Sequence, residues 1–152
     1  NVAKKLSQFS EKNFRFLRAT GERLPIIFGK QEIDKLFCFF PDPWPKKRHH
    51  KKRLFQRQFF QDLAPLIKKN GLVLFKTDHE HLFPWMMEQL EGQSSWDILW
   101  HTTDMYQDYL LLKDQDLKNT AHSLVTFPTK FEKIFIQQNA KIKALILKPR
   151  VQ

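Results

Sequence analysis

The stretch KLFCFFPDPWPKKRHHKKR, residues 35–53, joins an apolar run to a proline-rich turn and then to a basic segment. Runs such as Lys35 to Phe40 suit strands buried on both faces, so the opening six residues predict an inner strand of a helix-covered sheet. Pro41 ends the run. Pro41, Pro43 and Pro45 fix φ at three alternate positions, so the chain leaves the strand stiff and extended. Lys46, Lys47, Arg48, Lys51, Lys52 and Arg53 then place six of the 26 basic residues within eight positions, a density that reads as phosphate-binding surface. Such a run also mimics a nuclear-import signal, but those signals sit in flexible tails, whereas this one is wedged between a strand and an amphipathic helix. Trp44 offers either a flat face for base stacking or packing beneath the loop.

Working outward, Phe60, Leu63, Ala64 and Ile67 fall at helical spacing, with Pro65 expected to kink or restart the helix and Asn70 and Gly71 to close it. GLVLFKTD, residues 71–78, predicts a strand, followed by a helix whose apolar face is Phe83, Met86, Met87 and Leu90. WDILWHTT, residues 96–103, predicts another strand. Residues 109–112 read equally as helix or strand, and a helix from Lys130 precedes a last strand at KALILK, residues 143–148. Upstream, FRFLRA, residues 14–19, alternates as a strand does, and NVAKKLSQF at the start reads like the latter part of a helix. Strands alternating with helices imply an α/β layer fold with a largely parallel sheet. A chain of 152 residues fits one domain.

The composition is 41% hydrophobic with 15 phenylalanines, which argues against disorder, and the net charge is +10, which favours a polyanionic partner over a merely solvated surface once the basic residues cluster. The single cysteine, Cys38, excludes a disulfide framework or thiolate metal cluster and fits a reducing cytoplasm. No apolar run approaches the roughly 18 residues needed to span a bilayer, and no signal-peptide pattern opens the chain. The expectation is a cytoplasmic protein with no membrane segment and no metal.

In parallel sheets function gathers where strands end and loops turn into helices. That rule selects Asp42, after the strand ending at Phe40, and Asp78, after Lys76 and Thr77. Singly, each reads as a turn-former or helix cap. Together, on neighbouring strands beside a basic loop, they would flank one crevice. A metal-dependent hydrolase built on Asp78, His79 and His81 is a weaker reading, because no further ligand is identifiable.

These residues resemble the tRNA (guanine-N7)-methyltransferases, whose signature FPDPWPKKRHHKKR matches, with KTD at residues 76–78, HLFPWM at residues 81–86 and TKFEKIF at residues 129–135 following in family order. The resemblance covers nearly the whole chain from Phe14 onward. It implies transfer of a methyl group from S-adenosylmethionine to N7 of a guanine in the variable loop of tRNA. It makes Asp42 the catalytic-site aspartate, adjoining the donor and the target base. Lys46 and Asp78 match substrate-contacting positions, and so do Thr129, Lys130, Phe131 and Glu132. Arg48, His49, His50, Lys51, Lys52 and Arg53 match the RNA-contacting segment. Thr129 and Glu132 also form a T-x-x-E capping box that a helix start would need without any RNA.

The implied fold is a Rossmann-like class I methyltransferase sheet, mostly parallel, with helices on both faces. The family's glycine-rich turn and second-strand acidic residue, which hold the methionine and ribose portions of the donor, have no counterpart here. Gly21, Gly29, Gly71 and Gly92 are scattered. Thr20 and Gly21 stand where the family has an aspartate and alanine near the adenine, which makes Thr20 the implied cofactor neighbour. Residues 1–152 are therefore expected to form one domain, the C-terminal two-thirds of such an enzyme, lacking its N-terminal strands. Such a chain would expose strand edges and bind the donor weakly. A non-catalytic RNA-binding module derived from the family is the alternative. The expected assembly is a monomer or homodimer, with an accessory subunit not excluded.

Overall fold

The computed structural model describes residue 13, residue 15 and residues 17–150. Four strands form one sheet in the order β1-β2-β4-β3: β1 Ile33–Phe39, β2 Ile67–Thr77, β3 Trp96–Thr102 and β4 Lys143–Pro149. β1 runs parallel to β2, and β4 is antiparallel to both β2 and β3. Three strands thus share one direction and the last is inserted between two of them reversed, so two of the three pairings are antiparallel and the sheet is mixed rather than largely parallel. The helices are α1 Leu24–Ile27, α2 Arg57–Leu63, α3 Leu82–Leu90, α4 Met105–Leu111, α5 Gln115–Thr126 and α6 Lys130–Gln137.

Successive side chains of a strand point to opposite faces, and the two central strands are apolar on both. Val73 and Phe75 of β2 and Leu145 and Leu147 of β4 face α2 and α3, meeting Phe59, Phe60, Leu63, Phe83, Met86 and Leu90. Leu74, Ala144 and Ile146 face the other way, against Met105 of α4 and Ala121 and Leu124 of α5. Helices therefore cover both faces, as expected. Phe55, just before α2, packs its ring 5.3 Å from both Phe60 and Phe75, which ties the loop after β1 to the core. Burying such a ring is worth about 1.5–3 kcal/mol. β1 is an edge strand among the described residues, and its Phe37 is 48% exposed.

Two local expectations are corrected. The helix predicted to close at Asn70 and Gly71 ends at Leu63, and Pro65 restarts it only as the single 3₁₀ turn Ala64–Leu66 before Ile67 turns extended. Gly71 lies inside β2 because β1 crosses it closely. A Cβ there would sit 2.8 Å from the Asp34 carbonyl oxygen and 2.6 Å from Ile67 Cγ2, next to the register shift between Ile33 and Lys35. Of the strand expected at residues 14–19, residue 15 and residues 17–19 are not in a strand, while Phe14 and Phe16, like the segment 1–9, lie outside the described residues. Of residues 109–112, which read equally as helix or strand, Tyr109 to Leu111 are the end of α4 and Leu112 is extended, and the Asp114 side chain then accepts from the Leu117 amide to start α5.

Candidate active site and nucleic-acid interface

Phe39 of β1 lies opposite Lys76 of β2, and the Phe40 amide donates to the Lys76 carbonyl at 2.8 Å. Beyond that bond the strands part, and each delivers its aspartate to the same end of the sheet. Phe40 (φ 54°) and Trp44 (φ 41°) adopt left-handed backbone on either side of Asp42. Non-glycine residues hold that conformation at a cost of order 1–3 kcal/mol, so the surroundings of this loop must fix it. Asp42 is exposed and Asp78 half-buried. The Lys143 ammonium, on the β4 residue paired with Thr77, donates to the Asp78 carbonyl at 2.9 Å and pins that loop to the sheet.

The basic segment forms a 3₁₀ helix, Lys47–Lys52. Three residues per turn eclipse positions i and i+3. His49 and Lys52 consequently both meet Trp44, with the His49 ring centroid at 5.7 Å and the Lys52 ammonium at 4.7 Å. His50 and Arg53 likewise meet Trp85 of α3, at 6.3 Å and 4.7 Å. Trp44 thus packs within the loop. Lys46, Lys47, Arg48, Lys51 and Lys52 are left exposed as a cationic rail, with His49 and His50 half-buried behind it.

Arg53 does not belong to that rail. It is 2% exposed, its Nε donates to the Pro43 carbonyl at 2.8 Å and one terminal nitrogen donates to the Trp44 carbonyl at 3.4 Å. Burial removes it from the RNA-facing set that the resemblance implied. A run of like charges carries no sign of which member turns inward.

Glu132 also turns inward. The capping box forms, with the Glu132 amide donating to Thr129 Oγ1 and the Thr129 amide to Glu132 Oε2. Yet Glu132 is fully buried, and Oε2 also takes the Lys76 ammonium at 2.6 Å while Oε1 accepts from the Tyr106 hydroxyl at 2.8 Å. Both oxygens are engaged, which leaves no free carboxylate for a substrate. Lys76 donates further to the Leu124 carbonyl at 2.8 Å and lies 4.5 Å over the Phe39 ring. Burial pulls its ammonium below the ordinary lysine value, opposed by Glu132, and burial together with Glu132 raises the Tyr106 phenol. Thr129 stays half-buried, and Lys130 and Phe131 are exposed on the same turn.

Sequence reasoning missed Lys76 as a hub. Its signal was a lysine continuing an otherwise apolar inner strand, where a charge needs a partner.

His79 Nδ1 accepts from the backbone amides of His81, at 3.2 Å, and Leu82, at 3.1 Å, and so caps α3. Its ring is the Nε2–H tautomer by this bonding, and burial lowers its pKa, with Asp78 opposing. The lone pair that a metal would need is therefore in use. Among the described residues no three His, Cys, Asp or Glu side chains come together, and no helix is long and apolar enough to cross a membrane. Thr20 is exposed and begins the 3₁₀ turn Gly21–Arg23 without a side-chain cap. Gly21 abuts Leu54, so this turn lies against the segment that follows Arg53.

Residues 1–145 match the profile of a family described as "Putative methyltransferase". A tRNA (guanine-N(7)-)-methyltransferase of Mesoplasma florum is 35% identical over 152 residues, covering 97% of this chain and 63% of that protein. A second, from Mycoplasma capricolum, is 35% identical over 136 residues, covering 90% and 57%. The chain thus spans less than two thirds of the length of these relatives. A solved structure of a SAM dependent methyltransferase from Archaeoglobus fulgidus superposes with a TM-score of 0.42 at 9% identity, covering 95% of this chain and 72% of that one.

Proposed function

The chain belongs to this methyltransferase family, and from that premise we propose that it carries the guanine side of a tRNA (guanine-N7)-methyltransferase, working in the cytoplasm with S-adenosylmethionine as donor. The observation that carries the reading is the juxtaposition of Asp42 and Asp78 at adjacent strand ends, beside a rail of exposed cations.

The residues fit the substrate half of the reaction. Lys46, Lys47, Arg48, Lys51 and Lys52 take tRNA phosphates, and Lys130 and Phe131 offer a charge and an aromatic face on the neighbouring turn. Guanine N7 carries a free lone pair, so no proton has to leave N7 and positioning and electrostatics dominate the rate. Asp42 and Asp78 accept from guanine N1–H and the 2-amino group and hold N7 in line. The donor, when bound, supplies an electrophilic methyl group on a cationic sulfur. Among the described residues the exposed Asp42 carboxylate suits that charge, and Thr20 is the proposed neighbour of the adenine; no glycine-rich turn follows a described strand.

The test is mass-spectrometric detection of 7-methylguanosine in tRNA incubated with the 152-residue chain and S-adenosylmethionine. Asp42→Asn should lower single-turnover methylation at least tenfold while tRNA affinity by filter binding changes less than twofold. Equal losses in both defeat the assignment of Asp42, and tight tRNA binding with no 7-methylguanosine favours the non-catalytic RNA-binding module.

A further inference from the structure

We propose that Arg53 is a positioning residue that locks the Asp42 loop to the start of α3, and thereby holds Asp42 and Asp78 at a fixed separation. The proposal rests on the reading that these two carboxylates hold the guanine.

The guanidinium meets three groups, and each belongs to the frame of the site. Two of its donors go to the carbonyls of Pro43 and Trp44, the two residues that follow Asp42. Its central carbon, Cζ, lies over the Trp85 ring of α3, 4.7 Å from the ring centroid, and that helix begins at Leu82, just after the Asp78 loop. A displacement of Asp42 therefore drags the two carbonyls off their donors, and a displacement of α3 unstacks the ring. Trp44 keeps its left-handed φ of 41° while its carbonyl is held in this way.

Stability alone does not account for an arginine here. Arg53 is 2% exposed, no carboxylate pairs with it among the described residues, and one terminal nitrogen, Nη1, is buried without a partner. A buried, partly unsatisfied charge costs more than an apolar side chain of the same volume. What the guanidinium adds is direction, because a planar fork can donate to two carbonyls while stacking on an indole. A lysine at this position presents all its donors from one terminal nitrogen, so it has no donor where Nε meets the Pro43 carbonyl while its tip serves Trp44 and Trp85.

RNA contact and positioning predict different behaviour for Arg53→Lys and Arg53→Met, with Arg48→Ala as the comparison. Arg48→Ala should reduce the slope of log affinity for tRNA against log salt by about 0.7–0.9, the loss of one phosphate contact. Arg53→Met should leave that slope unchanged, while amide hydrogen exchange over residues 42–52 rises at least tenfold and that of β2 and β4 stays protected. Arg53→Lys, which keeps the charge, should show the same raised exchange and a methylation rate at least tenfold lower at unchanged tRNA affinity. A fall in salt slope in Arg53→Met equal to that of Arg48→Ala, or wild-type exchange and rate in Arg53→Lys, overturns the proposal. Should Arg53→Met fail to fold, Arg53→Lys decides alone. A wild-type chain that forms no 7-methylguanosine defeats the proposed reaction, whereas exchange and salt dependence still decide what Arg53 does.

Discussion

Glutamine at Glu132 keeps the shape of the side chain and removes its charge, which leaves the Lys76 ammonium buried without a carboxylate. Both residues are fully buried, and their closest atoms are 2.6 Å apart. Glutamine can keep the capping box by placing its amide oxygen where Oε2 stands, but its NH2 then faces the Tyr106 hydroxyl, which must turn to accept, so the substitution removes the charge and reverses one hydrogen bond. Removing one partner of a buried pair costs about 3–5 kcal/mol. Lys76 keeps its bond to the Leu124 carbonyl and the face of Phe39, which places Glu132→Gln near the low end, at about 3 kcal/mol. For a domain of this size that loss lowers the thermal midpoint by roughly 6–12 °C. Urea unfolding followed by circular dichroism measures it directly. Adding Lys76→Met to Glu132→Gln removes the stranded charge, so the double variant should recover about 2 kcal/mol of the loss, a coupling that a double-mutant cycle reads out. A Glu132→Gln protein of wild-type stability that has nonetheless lost tRNA methylation would refute the reasoning and return Glu132 to the substrate.

Three further outcomes follow from the geometry. His79 accepts two backbone amides as the neutral ring and burial depresses its pKa, so its contribution is present above the unfolded value of about 6.5 and is lost as pH falls through the folded value; the thermal midpoint should drop between pH 7.5 and 5 by more in wild type than in His79→Asn, and parallel profiles would remove the cap. Burial pushes the Cys38 thiol up to about 12, so it should react with a disulfide reagent at pH 8 at least a hundredfold more slowly in the folded protein than in denaturant, and equal rates would count against its packing in β1. Gly71→Ala should cost roughly 1–3 kcal/mol in urea unfolding, because a methyl group would press on the Asp34 carbonyl; a neutral substitution would mean that β1 and β2 meet in a different register.

The apolar runs before Asp42 and Asp78 were legible as strands, each ended by an aspartate, but the first was expected to be an inner strand and instead lies at the edge of the described sheet with Phe37 exposed. The reversal of β4 was not legible, because KALILK carries no direction in its own pattern and only its pairing with β2 and β3 sets one. Length hid the start of β2 as well. Lys68, Lys69 and Asn70 are polar and exposed, so the strand reads as beginning at Gly71, whereas backbone pairing to Ile33 already starts at Ile67. The partners of Lys76 lie on α5 and α6, far along the chain, and no local pattern joins them.

The basic run shows why charge density locates a surface without assigning its members. Six cations within eight positions imply phosphate binding as a group. The fold then sorts them: Arg53 turns in against Trp85, Lys52 lies over Trp44 while staying exposed, and Lys46, Lys47, Arg48 and Lys51 face solvent. Two tryptophans at the right distance convert part of a uniformly basic segment into a brace for the carboxylates. A positively charged rim alone would attract tRNA and leave the guanine free to turn. On the reading proposed above, a braced Asp42 together with Asp78 would restrict it, because an acceptor can select among orientations of guanine only if its own position is fixed.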